Sequence, residues 1–134
     1  MDLALVNLSV QATILAILLV SIAFRMKNNF KMHAGLMTFG VIFGLIFGTI
    51  GATMSFSDSG YLNSIMSTTS SLATFVSHLS IGVLSFASGV ILVALLLMDK
   101  AIPGRSNLMA KIVPTLWTIS FIVGVLFYLV LHVL

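Results

Sequence analysis

Four stretches of the sequence are each long enough and apolar enough to cross a lipid bilayer: residues 3–24, 34–56, 71–98 and 112–133. A span needs about 20 apolar residues to cross a hydrocarbon core of about 30 Å. Only 7% of the residues are charged, whereas a soluble domain carries about 25%, so the chain cannot cover a water-facing surface with polar groups. Since short loops join neighbouring helices, the sequence predicts an all-α fold: one integral membrane domain, residues 1–134, folded as an antiparallel four-helix bundle.

The basic residues of the chain are confined to the first and third connections between these spans. They are Arg25, Lys27, Lys31, Lys100, Arg105 and Lys111. The middle connection carries a single charge, Asp58. Because loops rich in Lys and Arg stay on the cytoplasmic side, we expect residues 25–33 and 99–111 to be cytoplasmic and residues 57–70 to lie outside, with both termini on the outer side. The expected location is the cell membrane, as a multi-pass protein.

The two terminal spans carry features that bear on where they begin. The chain opens with Met1-Asp2, which is acidic, and the apolar run that follows is too long for the core of a secretory leader. We therefore expect the first span to be a retained helix. Pro114 is expected in the first turn of the last helix, where its missing N–H costs little.

The second span places a small residue at every fourth position, and such a ridge lets another helix approach closely in the membrane. Its members are Gly40, Gly44, Gly48 and Ala52. The third span offers a matching face at three- and four-residue spacing: Thr74, His78, Gly82, Ser85 and Gly89. The favoured interpretation is a seam between these two helices inside one bundle. The alternative is that the ridge docks against a different subunit or a flat cofactor.

The first span carries polar side chains at helical spacing near its outer end. Asn7 and Gln11 share one face, and Ser9 and Thr13 lie nearby. Polar side chains in a membrane hydrogen-bond across helices, each bond contributing about 0.6–2 kcal/mol. A structural clasp between helices is therefore favoured over a substrate site.

Three histidines are the only plausible metal or haem ligands, because the chain contains no cysteine. His33 begins the second span beside the basic loop and is predicted to be an interfacial residue. His33 and His78 cannot ligate the same iron, since most of the membrane thickness separates them. His78 and His132 are predicted at similar depth near the outer side, so a bis-histidine haem or a two-histidine metal site is allowed there.

His78 also has a structural interpretation. As an ionisable group inside a span it is a functional candidate by default, but Ser and Thr residues surround it. In this interpretation it hydrogen-bonds within the bundle, towards Asn7, Gln11 or Tyr128.

The sequence lacks the residue sets that catalysis needs. It contains no nucleophile–base set, no phosphate-binding loop and no pair of carboxylates. Its basic residues sit in two short loops and form no nucleic-acid surface. We therefore expect a protein that is not an enzyme, whose partners are lipid and other integral membrane subunits.

The sequence resembles a known family in three short motifs. The first motif lies at the start of the second span, and the third and fourth spans contain one motif each. The motifs are Lys31-x-His33-x3-Met37, Ser77-His78 and Trp117-x6-Gly124-x3-Tyr128. Together they resemble the small four-helix membrane family that includes the cytochrome c oxidase maturation protein CtaM, over residues 25–132. The resemblance implies a membrane protein that assists a metal-containing respiratory enzyme without turning over substrate, and in it His33 and His78 match family histidines.

The chain departs from the family pattern where that family has further histidines. Thr53-Met54-Ser55 stands at the outer end of the second span, and Ser106-Asn107 precedes the fourth. A relative that keeps the scaffold without these histidines is expected to be an accessory subunit docked in a complex.

Three functions follow as hypotheses. The first is a non-catalytic accessory or assembly subunit of a membrane metalloenzyme, of the terminal oxidase or copper monooxygenase type, with no cofactor of its own. The second is a small electron carrier with a b-type haem held by His78 and His132. The third is a transporter or channel, which ranks last because no acidic residue lies inside a span to couple an ion.

Overall fold

The computed structural model describes residues 3–98 and 105–133, with the backbone alone for residues 105–107. The expectations for Met1-Asp2, for Lys100 and for the rest of residues 99–104 lie outside this range. The described residues form five helices: α1 Leu3–Met26, α2 Phe30–Ser57, α3 Ser59–Met66, α4 Thr69–Leu97 and α5 Arg105–His132. Four of them, all except α3, are long and apolar enough to cross a membrane, which confirms the all-α, membrane-spanning fold.

The last long helix begins earlier than the hydropathy pattern predicts. α5 starts at Arg105, so Pro114 lies in the helix interior and the expectation of a first-turn proline is wrong. Its nitrogen cannot donate to the carbonyl of Ala110, a loss that costs about 3 kcal/mol or more in a helix interior. A threonine hydroxyl binds the proline's own carbonyl, with 2.7 Å between Thr118 Oγ1 and Pro114 O.

The middle connection contains a short helix that hydropathy does not predict. Asp58 caps the start of α3, its carboxylate accepting from the backbone N–H of Tyr61 at 3.1 Å. Thr68 caps α4 in the same way, accepting from Ser71 N at 3.2 Å. The Ser71 hydroxyl then donates to the carbonyl of Ile65 at 2.8 Å. These caps stabilise α3 because they satisfy backbone groups at the helix ends, and they tie it to the start of α4.

The four long helices form two antiparallel hairpins that pack side by side. α1 lies along α2 and α4 lies along α5, while the hairpins meet mainly through α1 and α5 and more sparsely through α2 and α4. α1 and α4 are therefore diagonally opposite, as are α2 and α5. We call the end of the bundle with the 26–30 turn the basic end, and the opposite end the α3 end.

The packed core occupies the half of the bundle nearer the basic end. It is a cluster of buried side chains from all four long helices: Ile14, Leu18, Met37, Val41, Leu92, Ala110, Val113 and Trp117. These residues come from the first half of α2 and α5 and from the last part of α4. The core therefore ends near the middle of the bundle, and the α3 half is packed differently.

A cavity in the α3 half of the bundle

A cavity of about 750 Å³ lies among the helices in the α3 half. This volume falls within the usual range of small-molecule sites. Its walls are mostly apolar and aromatic, with a few polar side chains that converge on it: Asn7, Gln11, His78, Ser120 and Tyr128. Within residues 3–98 and 105–133, no Asp, Glu, Lys or Arg lines the cavity. The cavity is thus an uncharged compartment within the membrane-spanning part of the chain.

His78 is held at the cavity wall by two hydrogen bonds. Its Nδ1 lies 3.1 Å from the carbonyl oxygen of Ser120 on α5, and its Nε2 lies 3.1 Å from Nε2 of Gln11 on α1. A carbonyl only accepts, so Nδ1 carries the proton and Nε2 accepts from the Gln11 amide. The imidazole is therefore neutral, with both nitrogens engaged. This confirms the structural interpretation of His78 as a residue hydrogen-bonded inside the bundle.

Gly124 on α5 makes the approach of His78 to that helix possible. A Cβ at this position would lie 3.0 Å from Cε1 of His78 and 3.3 Å from Oε1 of Gln11. A side chain here would require the imidazole or the Gln11 amide to shift by a few tenths of an ångström from this arrangement. Gly124 belongs to one of the sequence motifs, but its role is visible only when the three helices are seen together.

Asn7 joins α1 to α2 near the α3 end. Its Nδ2 donates to Ser55 Oγ across 3.4 Å. Its side chain fills the space beside Gly51, where a Cβ would overlap the Asn7 oxygen. The prediction of a polar clasp on the first helix is confirmed, by Asn7 towards α2 and by Gln11 towards α4.

The glycine ridge of α2 receives side chains rather than a second backbone. Gly40 faces α1 side chains, Gly44 faces the indole of Trp117, and Gly48 faces the ring of Phe86. The two aromatic rings pack edge to face, with centroids 5.1 Å apart. The ridge therefore makes room for a pair of large aromatic side chains from α4 and α5, and this differs from the predicted seam between two closely approaching helices.

The small residues that the sequence matches to this ridge have separate surroundings. Gly89 of α4 packs against Val41 of α2, with 3.1 Å from its Cβ position to the nearest methyl groups, and this is one contact between the two helices of the predicted seam. Ser85 is buried and donates to a carbonyl of its own helix at 2.8 Å. Ala52 and Gly82 line the cavity, and only one side-chain atom lies within 4 Å of a Cβ at Gly82.

Trp117 belongs both to the packed core and to the lining of the cavity. Its indole Nε1 is buried and has no hydrogen-bond partner among the described residues. Leaving a buried donor unpaired costs about 1–3 kcal/mol. Such groups are rare in native structures and need an explanation.

The cavity reaches the outer surface of the bundle between α2 and α4. Exposed residues of these two helices line it on that side: Thr49, Thr53, Leu79 and Val83. Phe86, packed at Gly48, bounds this opening towards the basic end. Phe56 and Phe75, with ring centroids 6.1 Å apart, bound it towards the α3 end. Positions 48 and 56 are about 12 Å apart along a helix. We call this opening the α2–α4 window.

His33 lies at the other end of the bundle, beside the 26–30 turn, where it is buried between helices. Only 5% of it is exposed. Its Nδ1 donates to the carbonyl of Ser21 at 3.0 Å, and the Ser21 hydroxyl donates to the His33 carbonyl at 2.8 Å. This reciprocal pair fastens α1 to α2 beside the 26–30 turn. The sequence gives no signal for it, because it depends on the register between two helices.

His78 and His132 are not brought together. His132 is exposed at the end of α5, where its Nδ1 donates to the carbonyl of Tyr128 at 3.1 Å and its ring stacks on the Tyr128 ring. His78 is bonded at the level of Ser120, about 18 Å away along the helix axis. The structure does not bring the two imidazoles within reach of one haem or metal ion, so it gives the bis-histidine site no support. Among the described residues, no three His, Asp or Glu side chains form a group suited to a metal ion.

Comparisons of the chain with protein-family models, with curated proteins and with solved structures find no match. The fold and the cavity therefore define the class of protein on their own. The chain is an α-helical protein with four membrane-crossing helices and a laterally open, uncharged cavity in one half of the bundle.

Proposed function

We propose that this chain is a small, non-catalytic accessory or assembly subunit of a metalloenzyme complex in the cell membrane. The observation that supports the proposal is that polar side chains within the spans hold the bundle's own helices together. The bonds concerned join His33 to Ser21, His78 to Gln11 and Asn7 to Ser55. A scaffold held in this way presents an apolar outer surface to lipid and to other membrane helices.

One part of that outer surface is suited to a partner helix. Phe39, Phe43 and Phe47 form a ladder along α2, with successive ring centroids 5.9 and 4.3 Å apart. Phe39 and Phe47 are exposed. Helix association in lipid depends on close packing of complementary surfaces rather than on a hydrophobic driving force, and a row of aromatic rings gives a large surface for such packing.

The class of complex rests on the resemblance of three motifs to the CtaM-containing family. That resemblance favours a respiratory metalloenzyme of the terminal oxidase type, with a copper monooxygenase as the related possibility. In this role the chain supplies helices for packing, and the metal chemistry belongs to the partner subunits.

Purification of the tagged chain from native membranes in a mild detergent tests the proposal. We expect integral membrane subunits that contain haem or copper to co-purify, and we expect Phe39→Ala with Phe47→Ala to weaken their retention. The matched control is Leu19→Ala with Val20→Ala, which removes two exposed apolar side chains from α1. A chain that co-purifies with no metal-containing subunit contradicts the proposal, and equal retention by the two double variants contradicts the role of the phenylalanine ladder.

A further inference from the structure

We propose that the cavity binds one neutral, lipid-soluble molecule that carries a carbonyl oxygen, taken from the bilayer through the α2–α4 window. This inference stands apart from the accessory-subunit role. It rests on three properties of the cavity: its lack of charge, its hydrogen-bond donors and its opening towards lipid.

The lining selects against a charged ligand. None of the described residues that line the cavity is an Asp, Glu, Lys or Arg. His78 does not supply a positive charge, since its Nδ1–H faces the Ser120 carbonyl and its Nε2 accepts from Gln11. An ionised headgroup placed here has no counter-charge, and burying an unpaired charge is strongly unfavourable. The ligand is therefore uncharged and mostly apolar.

The polar groups of the lining favour an oxygen that accepts hydrogen bonds. A side-chain amide has two N–H donors. One N–H of Gln11 donates to His78, and one N–H of Asn7 donates to Ser55. Each amide thus keeps a second N–H for a ligand. A carbonyl oxygen suits donors of this kind, because it accepts and needs no partner for a proton of its own.

The position of the opening indicates where the ligand comes from. The window is bordered by exposed side chains of α2 and α4, which face the hydrocarbon region of the bilayer. The opening extends about 12 Å along the helix axis, between Phe86 and the Phe56–Phe75 pair, so a ligand from the lipid would enter it sideways. The volume of about 750 Å³ corresponds to one such molecule.

Two kinds of membrane molecule share this chemistry: a quinone, with ring carbonyls, and a diacylglycerol, with ester carbonyls. Trp117 is the only tryptophan in the chain and lines the cavity, so its fluorescence reports binding directly. The purified protein in lipid nanodiscs is titrated with a decyl-substituted 1,4-benzoquinone in one arm and with a brominated diacylglycerol in the other. Both compounds quench tryptophan at short range.

We expect saturable quenching in at least one arm, and the arm that saturates identifies the source of the carbonyl. Gly82→Leu and Ala52→Leu place side chains into the cavity from facing helices, so each is expected to raise the half-saturating concentration at least tenfold. Gly35→Leu is the matched control, because a Cβ there meets nothing within 4 Å and the residue does not line the cavity. Its titration is expected to match that of the parent chain.

Three results overturn the proposal. The first is quenching that rises linearly with both probes, as expected for partition into lipid alone. The second is a half-saturating concentration that is the same in the parent and in both cavity-filling variants, when their unfolding temperatures show that they are folded. The third is binding of brominated palmitate, which is anionic, as tightly as either neutral probe. A competition experiment needs no variant. If unbrominated diacylglycerol, added to the parent chain, relieves the quenching by the brominated probe, this supports the proposal.

Discussion

The imidazole of His78 and the amide of Gln11 meet with 3.1 Å between their Nε2 atoms, and this bond joins α4 to α1, which are diagonally opposite in the bundle. Adjacent helices are held by packed side chains along their length. The Gln11 and His78 side chains reach across the interior between the diagonal helices, and they meet at the wall of the cavity. The bond therefore links the stability of the bundle to the shape of the site.

Replacing His78 tests this bond. His78→Leu leaves the Gln11 amide and the Ser120 carbonyl without the imidazole, and we expect it to lower the free energy of unfolding by about 1–3 kcal/mol. His78→Gln is expected to be tolerated, because an amide replaces most of the hydrogen bonds. Thermal unfolding of the two variants in the same detergent measures the difference. Equal destabilisation by Gln and Leu would show that the ring's shape, rather than its hydrogen bonds, is what matters.

Gly124 allows the second bond of His78. In Gly124→Ala the new methyl group would lie 3.0 Å from His78 Cε1, so the imidazole must move away from the Ser120 carbonyl. We expect a loss of about 1–3 kcal/mol, the usual range for an overpacked interior. Gly35→Ala is the control, since a Cβ there meets nothing within 4 Å. Ala has the higher helix propensity, by about 1 kcal/mol, so unfolding measurements should show opposite signs for the two variants. A stabilised Gly124→Ala would contradict this arrangement of the three helices.

The sequence predicts the number and order of the spans, but not the ends of the helices or most of the contacts between them. Hydropathy identifies the four spans because a run of about 20 apolar residues is the length that crosses the hydrocarbon core. Whether a span continues into a polar loop depends on capping and tertiary contacts, so α3 and the early start of α5 at Arg105 are missed. Gln11 is one of three partners predicted for His78, but the unpaired indole N–H of Trp117 and the Ser21–His33 clasp depend on helix register, which periodicity does not fix.

The Ser21–His33 clasp is expected to contribute to the stability of the first hairpin. Ser21→Ala removes a hydroxyl that donates to the His33 carbonyl in a fully buried position, and we expect it to cost about 1–3 kcal/mol. Ser9→Ala is the matched control, because Ser9 is exposed and its hydroxyl binds only a carbonyl of its own helix. The unfolding free energies of the two variants provide the measurement. If both changes cost the same, the clasp adds nothing beyond an ordinary helix serine.

Gly44 is the position where the glycine ridge meets Trp117. A Cβ there would lie 2.5 Å from Cη2 of the indole, so a leucine side chain cannot enter without displacing it. We expect Gly44→Leu to weaken the bundle and to shift the fluorescence emission of Trp117, whose surroundings change. The same substitution at Gly35 is expected to leave the Trp117 emission unchanged and not to weaken the bundle, because a Cβ there meets nothing within 4 Å. An unaltered emission spectrum in a folded Gly44→Leu variant would mean that the indole does not pack on the ridge.

The orientation of the bundle in the membrane decides which leaflet the α2–α4 window faces. The segregation of Lys and Arg predicts that the basic end is cytoplasmic and that α3 lies outside, so the window opens into the outer leaflet. The chain has no cysteine, so single cysteines introduced at Ser59 and at Asn107 can be labelled without background. We expect a membrane-impermeant maleimide added to intact cells to label Ser59→Cys, and to label Asn107→Cys only after the membrane is opened. Labelling of both positions from one side would contradict the four-span topology, and the reverse pattern would place the window in the inner leaflet.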